Sequence, residues 1–396
     1  MDREALYRDP YPLYARARAA PGLTFVEELD AWLVARHADV REVLSRADDF
    51  SSRGALRPDV MPAPRALAAL AGAPGGAPVV LSTDGEAHAR LRRPLTRGLS
   101  PARVAAALPF AESAAAELVA SFAKEGGVEW MAGYARPLPA AVIGHLLGLD
   151  PADVPGAVRA GRRAEELLFT PMTEEAQIAA AREVAGLRHL LDAHAARSRT
   201  RENLTGELAR GLAPGPGEPS PGQRDEIASN VENLMLAGHL TTTALLGTVV
   251  HRLLRDRRQW ELLCARPELI TAAIEEAARF EAPVQGFRRQ VTRPLRLSGT
   301  ELGPGDTVFV SFASAGRDAA VYERPDEFDL AREPARHLSF GHGVHGCPGA
   351  LLAREQLRIT LELLVRELPG LRLASQDVVM AATLIHRAPE ELLLRW

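Results

Sequence analysis

Residues 338–353 read Leu-Ser-Phe-Gly-His-Gly-Val-His-Gly-Cys-Pro-Gly-Ala-Leu-Leu-Ala, and no other stretch gathers so many groups able to do chemistry. Three chemistries compete for it. Gly341, Gly343 and Gly346 formally spell the GxGxxG of dinucleotide-binding loops. That loop needs a buried strand before it and a helix opening inside it, whereas here only a short run precedes and the helical pattern starts after Pro348. It is rejected. His342, His345 and Cys347 could ligate zinc, but structural zinc sites close with a fourth ligand. The only other cysteine, Cys264, lies more than eighty residues away inside a helical pattern. Zinc is the weaker choice. In the third chemistry Cys347 stands just before a helix, with Pro348 at the first helical position. Free N–H groups at a helix N-terminus stabilise a thiolate. The flanking glycines let the backbone approach a flat ligand, and Phe340 can lie against a macrocycle. The plain alternative is a buried small side chain, the commonest fate of cysteine, but so glycine-rich a loop makes poor core. Cys347 reads as a thiolate ligand.

Three other patterns are ambiguous by themselves. Glu276 and Arg279 are spaced i,i+3 and can pair on one helix face, as ordinary surface helices do. His88 and Arg92, in Glu-Ala-His-Ala-Arg-Leu-Arg-Arg (86–93), are spaced i,i+4, which usually means a solvated basic face. In Leu-Ala-Gly-His-Leu-Thr-Thr-Thr (236–243), Gly238 admits a close neighbour and a threonine hydroxyl can bond back to a carbonyl; tight packing of small residues explains this equally well.

The elements that must position these groups are mostly helical. A short strand at Asp30–Val34 leads into a helix through Leu44. The Pro-, Gly- and Ala-rich stretch 54–80 shows no period; such a long irregular segment is usually functional or mobile. Helical patterning runs from Glu86 to about Leu149, interrupted at Pro137 and Pro139, and again from Val154 to Arg210. Residues 213–222 form a turn-rich connection. A helix without proline follows over Asp225–Arg255; at 1.5 Å per residue it spans roughly 45 Å, enough to cross the molecule. Small strands and hairpins are expected over Val291–Phe312, with a turn at Gly303-Pro-Gly. A Pro/Gly/Asp meander, a helix over Pro348–Leu368 and short strands from Leu371 to Trp396 complete the chain. No repeat or linker divides it, so 1–396 reads as a single mainly α domain with a minor β portion and a long central helix.

Composition narrows the partners. The 396 residues carry 47 basic and 51 acidic side chains, a net charge of −4, so the overall field does not attract nucleic acid or anionic lipid. Lys124 is the only lysine among them. Two cysteines make no disulfide framework and suit a reducing compartment. The N-terminal dozen residues have no apolar segment for a signal peptide or anchor, and apolar stretches elsewhere are expected to be broken by charge within a helix length. The protein is expected to be soluble, cytoplasmic and not bound to a membrane.

With those residues in view, Phe340-x-x-Gly343-x-x-x-Cys347-x-Gly349 resembles the haem-binding signature of the cytochrome P450 superfamily, and the resemblance extends over nearly the whole chain. It implies haem b, with Cys347 as axial thiolate and Phe340, Gly349 and Ala237 against the cofactor. It implies haem propionate partners at His88, Arg92, Arg289 and His345, with Arg288 adjacent to the third. Glu276 and Arg279 resemble a structural pair of the family, completed from the meander by Arg332 or His337. Asp9-Pro-Tyr-Pro-Leu-Tyr14 is similar to the start of soluble bacterial members. Gly238 and Thr241 fall in the segment that binds dioxygen, with Thr241 its hydrogen-bonding residue. One departure stands out: Leu240 replaces the acid that usually precedes this threonine and helps deliver protons. The resemblance therefore implies oxidative tailoring of a small apolar or amphipathic molecule in natural-product metabolism, by hydroxylation or by substrate-assisted or atypical chemistry. Electrons come from a separate ferredoxin and ferredoxin reductase, and the protein is expected to act as a monomer. The expected pocket lining is 56–80, 154–190, the helix near Leu236, 284–287 and 383–385. A haem-binding sensor or carrier without turnover is the alternative.

Overall fold

A computed structural model describes residues 3–333 and 336–396. The chain begins with α1 (Arg3–Arg8), α2 (Tyr11–Ala19), β1 (Thr24–Val26), β2 (Ala31–Val34), α3 (His37–Ser45) and β3 (Phe50–Ser51). Next come α4 (Pro64–Leu70), α5 (Gly85–Gly98), α6 (Pro101–Phe122), β4 (Gly127–Glu129) and α7 (Pro137–Leu147). They are followed by α8 (Val154–Phe169), α9 (Glu174–Ser198), α10 (Leu204–Leu212), the long α11 (Pro221–Arg255), α12 (Arg257–Ala265) and α13 (Ile270–Phe280). The β-rich part holds β5 (Gly286–Val291), β6 (Leu295–Leu297), β7 (Thr300–Leu302), β8 (Thr307–Ser311) and the single turn α14 (Phe312–Ala315). The chain closes with α15 (Ala350–Glu367), β9 (Arg372–Leu373) and β10 (Leu393–Arg395).

The fold is mainly helical with a minor β portion, as expected, and several boundaries differ for identifiable reasons. The irregular stretch 54–80 contains α4, which opens on Pro64. Pro137 begins a helix rather than interrupting one, and Pro221 starts α11 four residues before Asp225. A first-turn proline loses no hydrogen bond, because the N–H there has no intrahelical acceptor.

Contacts divide the chain into two compact bodies, one of residues 1–52, 108–139 and 240–396, the other of 53–107 and 140–239. Three of the four crossings fall inside helices, in α6, α7 and α11. The first body holds a five-stranded sheet in the order β1-β2-β8-β5-β3, in which only the β2–β8 pair is parallel. Tyr14, Leu33, Val40, Phe50 and Val310 are among the side chains of one buried apolar cluster around it. In the second body, α4, α8 and α9 share a small cluster built on Ala66, Leu167, Ala180, Ala181 and Val184.

The expectation that charge breaks every apolar stretch fails in α11, where no Asp, Glu, Lys or Arg lies between Glu232 and Arg252. By length and composition α6 and α11 could each cross a membrane, but 72 % of the apolar window of α11 is buried within the protein. Its hydropathy belongs to a core helix. In α6 only one stripe is buried, Val104, Ala107, Ala111, Ala115, Val119 and Phe122, and Glu112 and Glu117 lie exposed.

Candidate active site

Backbone geometry, not side-chain packing, presents Cys347. Its N–H donates to the Phe340 carbonyl at 2.8 Å, and the Gly346 N–H to that of Gly343 at 3.0 Å. Gly341 and Gly343 adopt left-handed φ of 72° and 67°, a region that side chains with a Cβ rarely adopt. A Cβ on Gly343 would stand 2.4 Å from the Leu44 carbonyl oxygen at the end of α3. The loop is thus pinned to α3 and leaves Cys347 exposed. The helix begins at Ala350 with Gly349 as its N-cap, so Pro348 lies in the turn before it instead of occupying the first helical position. The first-turn N–H groups, which lack intrahelical acceptors, still follow directly after the sulfur. An accessible thiol beside a helix N-terminus fits a flat macrocycle whose metal takes a sulfur ligand.

Behind the loop lies a charged layer. Glu276 and Arg279 form a buried bidentate pair at 2.6 and 2.7 Å. Arg332 completes it, its Nε 3.1 Å from Glu276. His337, the other candidate, instead contacts Glu275, Nε2 to Oε2 at 3.1 Å. Glu275 also accepts two bonds from Arg354, at 2.7 and 2.9 Å. Burial pushes the Glu275 carboxyl up, but the hydrogen bonds from Arg354 and His337 prevail and hold it at about 2.

The other candidate residues are distributed over both bodies. In the first, the His345 Nε2 is 2.9 Å from the Ser52 hydroxyl. Arg288 and Arg289 are both buried in β5, and as consecutive strand residues they point to opposite faces. The Arg289 guanidinium donates to the Arg288 carbonyl at 2.8 Å. Thr241 is partly exposed on α11, whereas Leu240 is buried. One turn earlier on the same helix, but already in the second body, Ala237 is exposed. Gly238 does admit a close neighbour, the Ile143 side chain, which a Cβ would meet at 2.8 Å. In the second body, His88 and Arg92 share a face of α5. His88 is buried and its pKa is lowered, chiefly by that burial and then by Arg92.

The cytochrome P450 family model matches residues 250–370. Cytochrome P450 144 of Mycobacterium tuberculosis is 35 % identical over 378 residues, covering 90 % of this chain and 82 % of its own. The chain belongs to the cytochrome P450 family. Mycinamicin IV hydroxylase/epoxidase of Micromonospora griseorubida is 33 % identical, covering 93 % of this chain and 90 % of its own. The structure of cytochrome P450 CREJ in complex with (4-ethylphenyl) dihydrogen phosphate superposes with a TM-score of 0.90 at 28 % identity, covering 98 % of both chains.

As a P450, the protein is a haem-thiolate oxidoreductase of the monooxygenase type with haem b as its cofactor, which leaves the carrier without turnover behind. Of the expected pocket segments, two meet within the first body: the Gln285 N–H donates to the Leu384 carbonyl at 2.9 Å. None of the expected segments lines a cavity of about 700 Å³ between the C-terminal end of α11, α12 and residues 324–329. Ser52, Glu275 and Arg354 carried no sequence signal of their own. Each gains its place through a partner 62 to 293 residues away.

Proposed function

We propose that this P450 oxidises a small apolar or amphipathic molecule in natural-product tailoring, and that Cys347 is the residue whose thiolate would hold its haem iron. The exposed Cys347 thiol, set by the Phe340 carbonyl and two left-handed glycines at the start of α15, is the observation that carries this reading. The likeness to a mycinamicin hydroxylase/epoxidase supports the substrate class. When bound, haem supplies the metal centre at which dioxygen is reduced, and a thiolate ligand favours O–O cleavage.

The chain's own residues take the remaining roles. Phe340 and Gly349 would help hold the haem beside Cys347. His88, Arg92, Arg289 and His345 would be the propionate partners. The arginines suit carboxylates because their planar forks donate two hydrogen bonds. Ala237 would border the haem, Gly238 lets α11 approach Ile143 closely beside it, and Thr241 would offer a hydroxyl to dioxygen. Leu240 is buried and carries no proton. Proton supply therefore falls to water held at Thr241 or to a polar group on the substrate, which favours substrate-assisted or atypical outcomes beside hydroxylation. Electrons arrive from a separate ferredoxin and its reductase, and the whole chain works as one monomeric P450 domain in the cytoplasm.

The test is the carbon monoxide difference spectrum of the reduced protein. Wild type gives the Soret band typical of thiolate-ligated haem, and Cys347→Ser loses it. Absence of that band in wild type, or its survival in C347S, overturns the assignment.

A further inference from the structure

The geometry points to Arg354 as a positioning residue that holds a positive charge against the sulfur side of the site and thereby raises the reduction potential of the haem. The inference rests on Cys347 being the axial ligand. Three contacts fix the guanidinium. It lies over the Phe340 ring at 4.3 Å from the centroid. Glu275 accepts two hydrogen bonds from it, at 2.7 and 2.9 Å. His337 steadies Glu275 through Nε2 at 3.1 Å, and its own Nδ1 accepts from the Ser339 N–H at 3.2 Å, so the anchor is itself anchored. Phe340 connects this assembly to the ligand, because its carbonyl receives the Cys347 N–H at 2.8 Å. The hydrogen bond to Glu275 raises the Arg354 pKa, and the Cys347 sulfur acts in the same direction. The Phe340 ring under the guanidinium and the Phe340 carbonyl on the Cys347 N–H place Arg354 against the cysteine loop.

A cation fixed near a thiolate offsets part of its negative charge and favours the redox state holding the extra electron. Charge and hydrogen bonding around a metal's sulfur ligand are among the levers by which a protein sets a potential. Two other roles would leave the potential unmoved. A staple between α13, which carries Glu275, and α15, which carries Arg354, would show in stability. A docking contact for an electron donor would show in the rate of reduction.

The measurement is a spectroelectrochemical titration of the haem-loaded protein, with the carbon monoxide band recorded in parallel. Arg354→Gln keeps a planar group over Phe340 and removes the charge; Arg354→Lys keeps the charge. At a fixed applied potential near the wild-type midpoint, R354Q is expected to lower the reduced-to-oxidised ratio about tenfold, equivalent to about 59 mV for one electron. R354K is expected to stay within about twofold of wild type by the same one-electron conversion. An unchanged ratio in R354Q, or a fall in R354K as large as that of R354Q, overturns the inference. Should R354Q not retain haem, Glu275→Gln decides. Loss of the anchor predicts a lower ratio, whereas removal of one negative charge alone predicts a higher one, and a higher or unchanged ratio overturns the proposal. Absence of the thiolate band in wild type would instead refute the reading of Cys347, so the two failures are distinguishable.

Discussion

The cysteine loop and the buried node around Glu281 lie in the same body and use opposite means. In the loop, glycines and main-chain hydrogen bonds place a reactive group and leave it exposed. At the node, a carboxylate with no exposure is enclosed by Arg252, Arg317 and Arg387, and by the Tyr11 hydroxyl at 2.7 Å. Arg387 also donates to the Tyr7 and Arg8 carbonyls, at 3.0 and 2.8 Å, which ties the N-terminal helices to the far end of the chain. Arg317 lies over the rings of Tyr11 and Phe280 at 3.7 and 3.8 Å. Chemistry is entrusted to backbone that needs few partners, and assembly to charges that need many. A change at the node should therefore cost stability without altering the spectrum, whereas a change in the loop should alter the spectrum as well.

The largest effect on stability is expected from Glu281→Gln. It strands guanidinium groups around a neutral amide, and breaking a buried pair from one side costs about 3–5 kcal/mol. Urea unfolding of the haem-loaded protein should show that loss, while the folded fraction keeps the thiolate carbon monoxide band. The pH dependence has a definite sign. Burial raises the Glu281 carboxyl, but the arginines and Tyr11 outweigh it, so its folded pKa lies below the ordinary 4.5. A depressed carboxyl contributes stability that is fully present above its unfolded pKa and is lost as pH falls toward the folded value. The difference between wild type and E281Q should thus be constant from pH 7 to about 5 and shrink below the ordinary pKa near 4.5. A difference that stays constant down to pH 3 would show that Glu281 does not carry the charge assigned to it.

Gly343→Ala tests the other side. The substitution meets both the left-handed φ of 67° and the Leu44 carbonyl at 2.4 Å. Left-handed backbone alone costs about 1–2 kcal/mol for a residue with a Cβ, and the clash adds to it. The expected signature is reduced haem retention and a weakened thiolate band, with a loss of about 2–3 kcal/mol in unfolding. Normal haem content with only a stability loss would mean that the loop is scaffold rather than cradle.

The same division explains what the sequence disclosed. The loop was legible because its parts are contiguous: Phe340, Gly343, Cys347 and Gly349 sit within ten residues of one another. Glu276 and Arg279 were legible at i,i+3, and α11 by its length without proline. The finer register was not. Pro348 by type suits a first helical position, but Gly349 takes the cap, and sequence does not distinguish a first helical position from the turn before it. The third partner of Glu276 had two candidates, and only the packed meander selects Arg332 over His337. Ser52 beside His345, Glu275 beside Arg354 and the whole Glu281 node depend on chain folding across tens to hundreds of residues. No local period or motif records such contacts, and an arginine in this arginine-rich chain gives no sign of which carboxylate it will find.

The smallest effect is expected from Tyr11→Phe, which removes one hydroxyl from the node. A hydrogen bond to a charged group contributes about 1.5–3 kcal/mol, and the arginines remain to compensate Glu281, so the low end is expected, about 1–2 kcal/mol. The aromatic ring stays beneath Arg317, so Y11F separates the hydroxyl from the cation–π contact, whereas Tyr11→Ala removes both and should cost more. In the Y11F/E281Q double variant the two losses should fall short of additive, because the hydroxyl has lost the charge that made its bond strong. Strict additivity in urea unfolding would mean that Tyr11 acts through packing alone and that the node is a set of independent contacts, not one compensated charge. The carbon monoxide band should be unchanged in all of these variants, since nothing at the node bears on the backbone that presents Cys347.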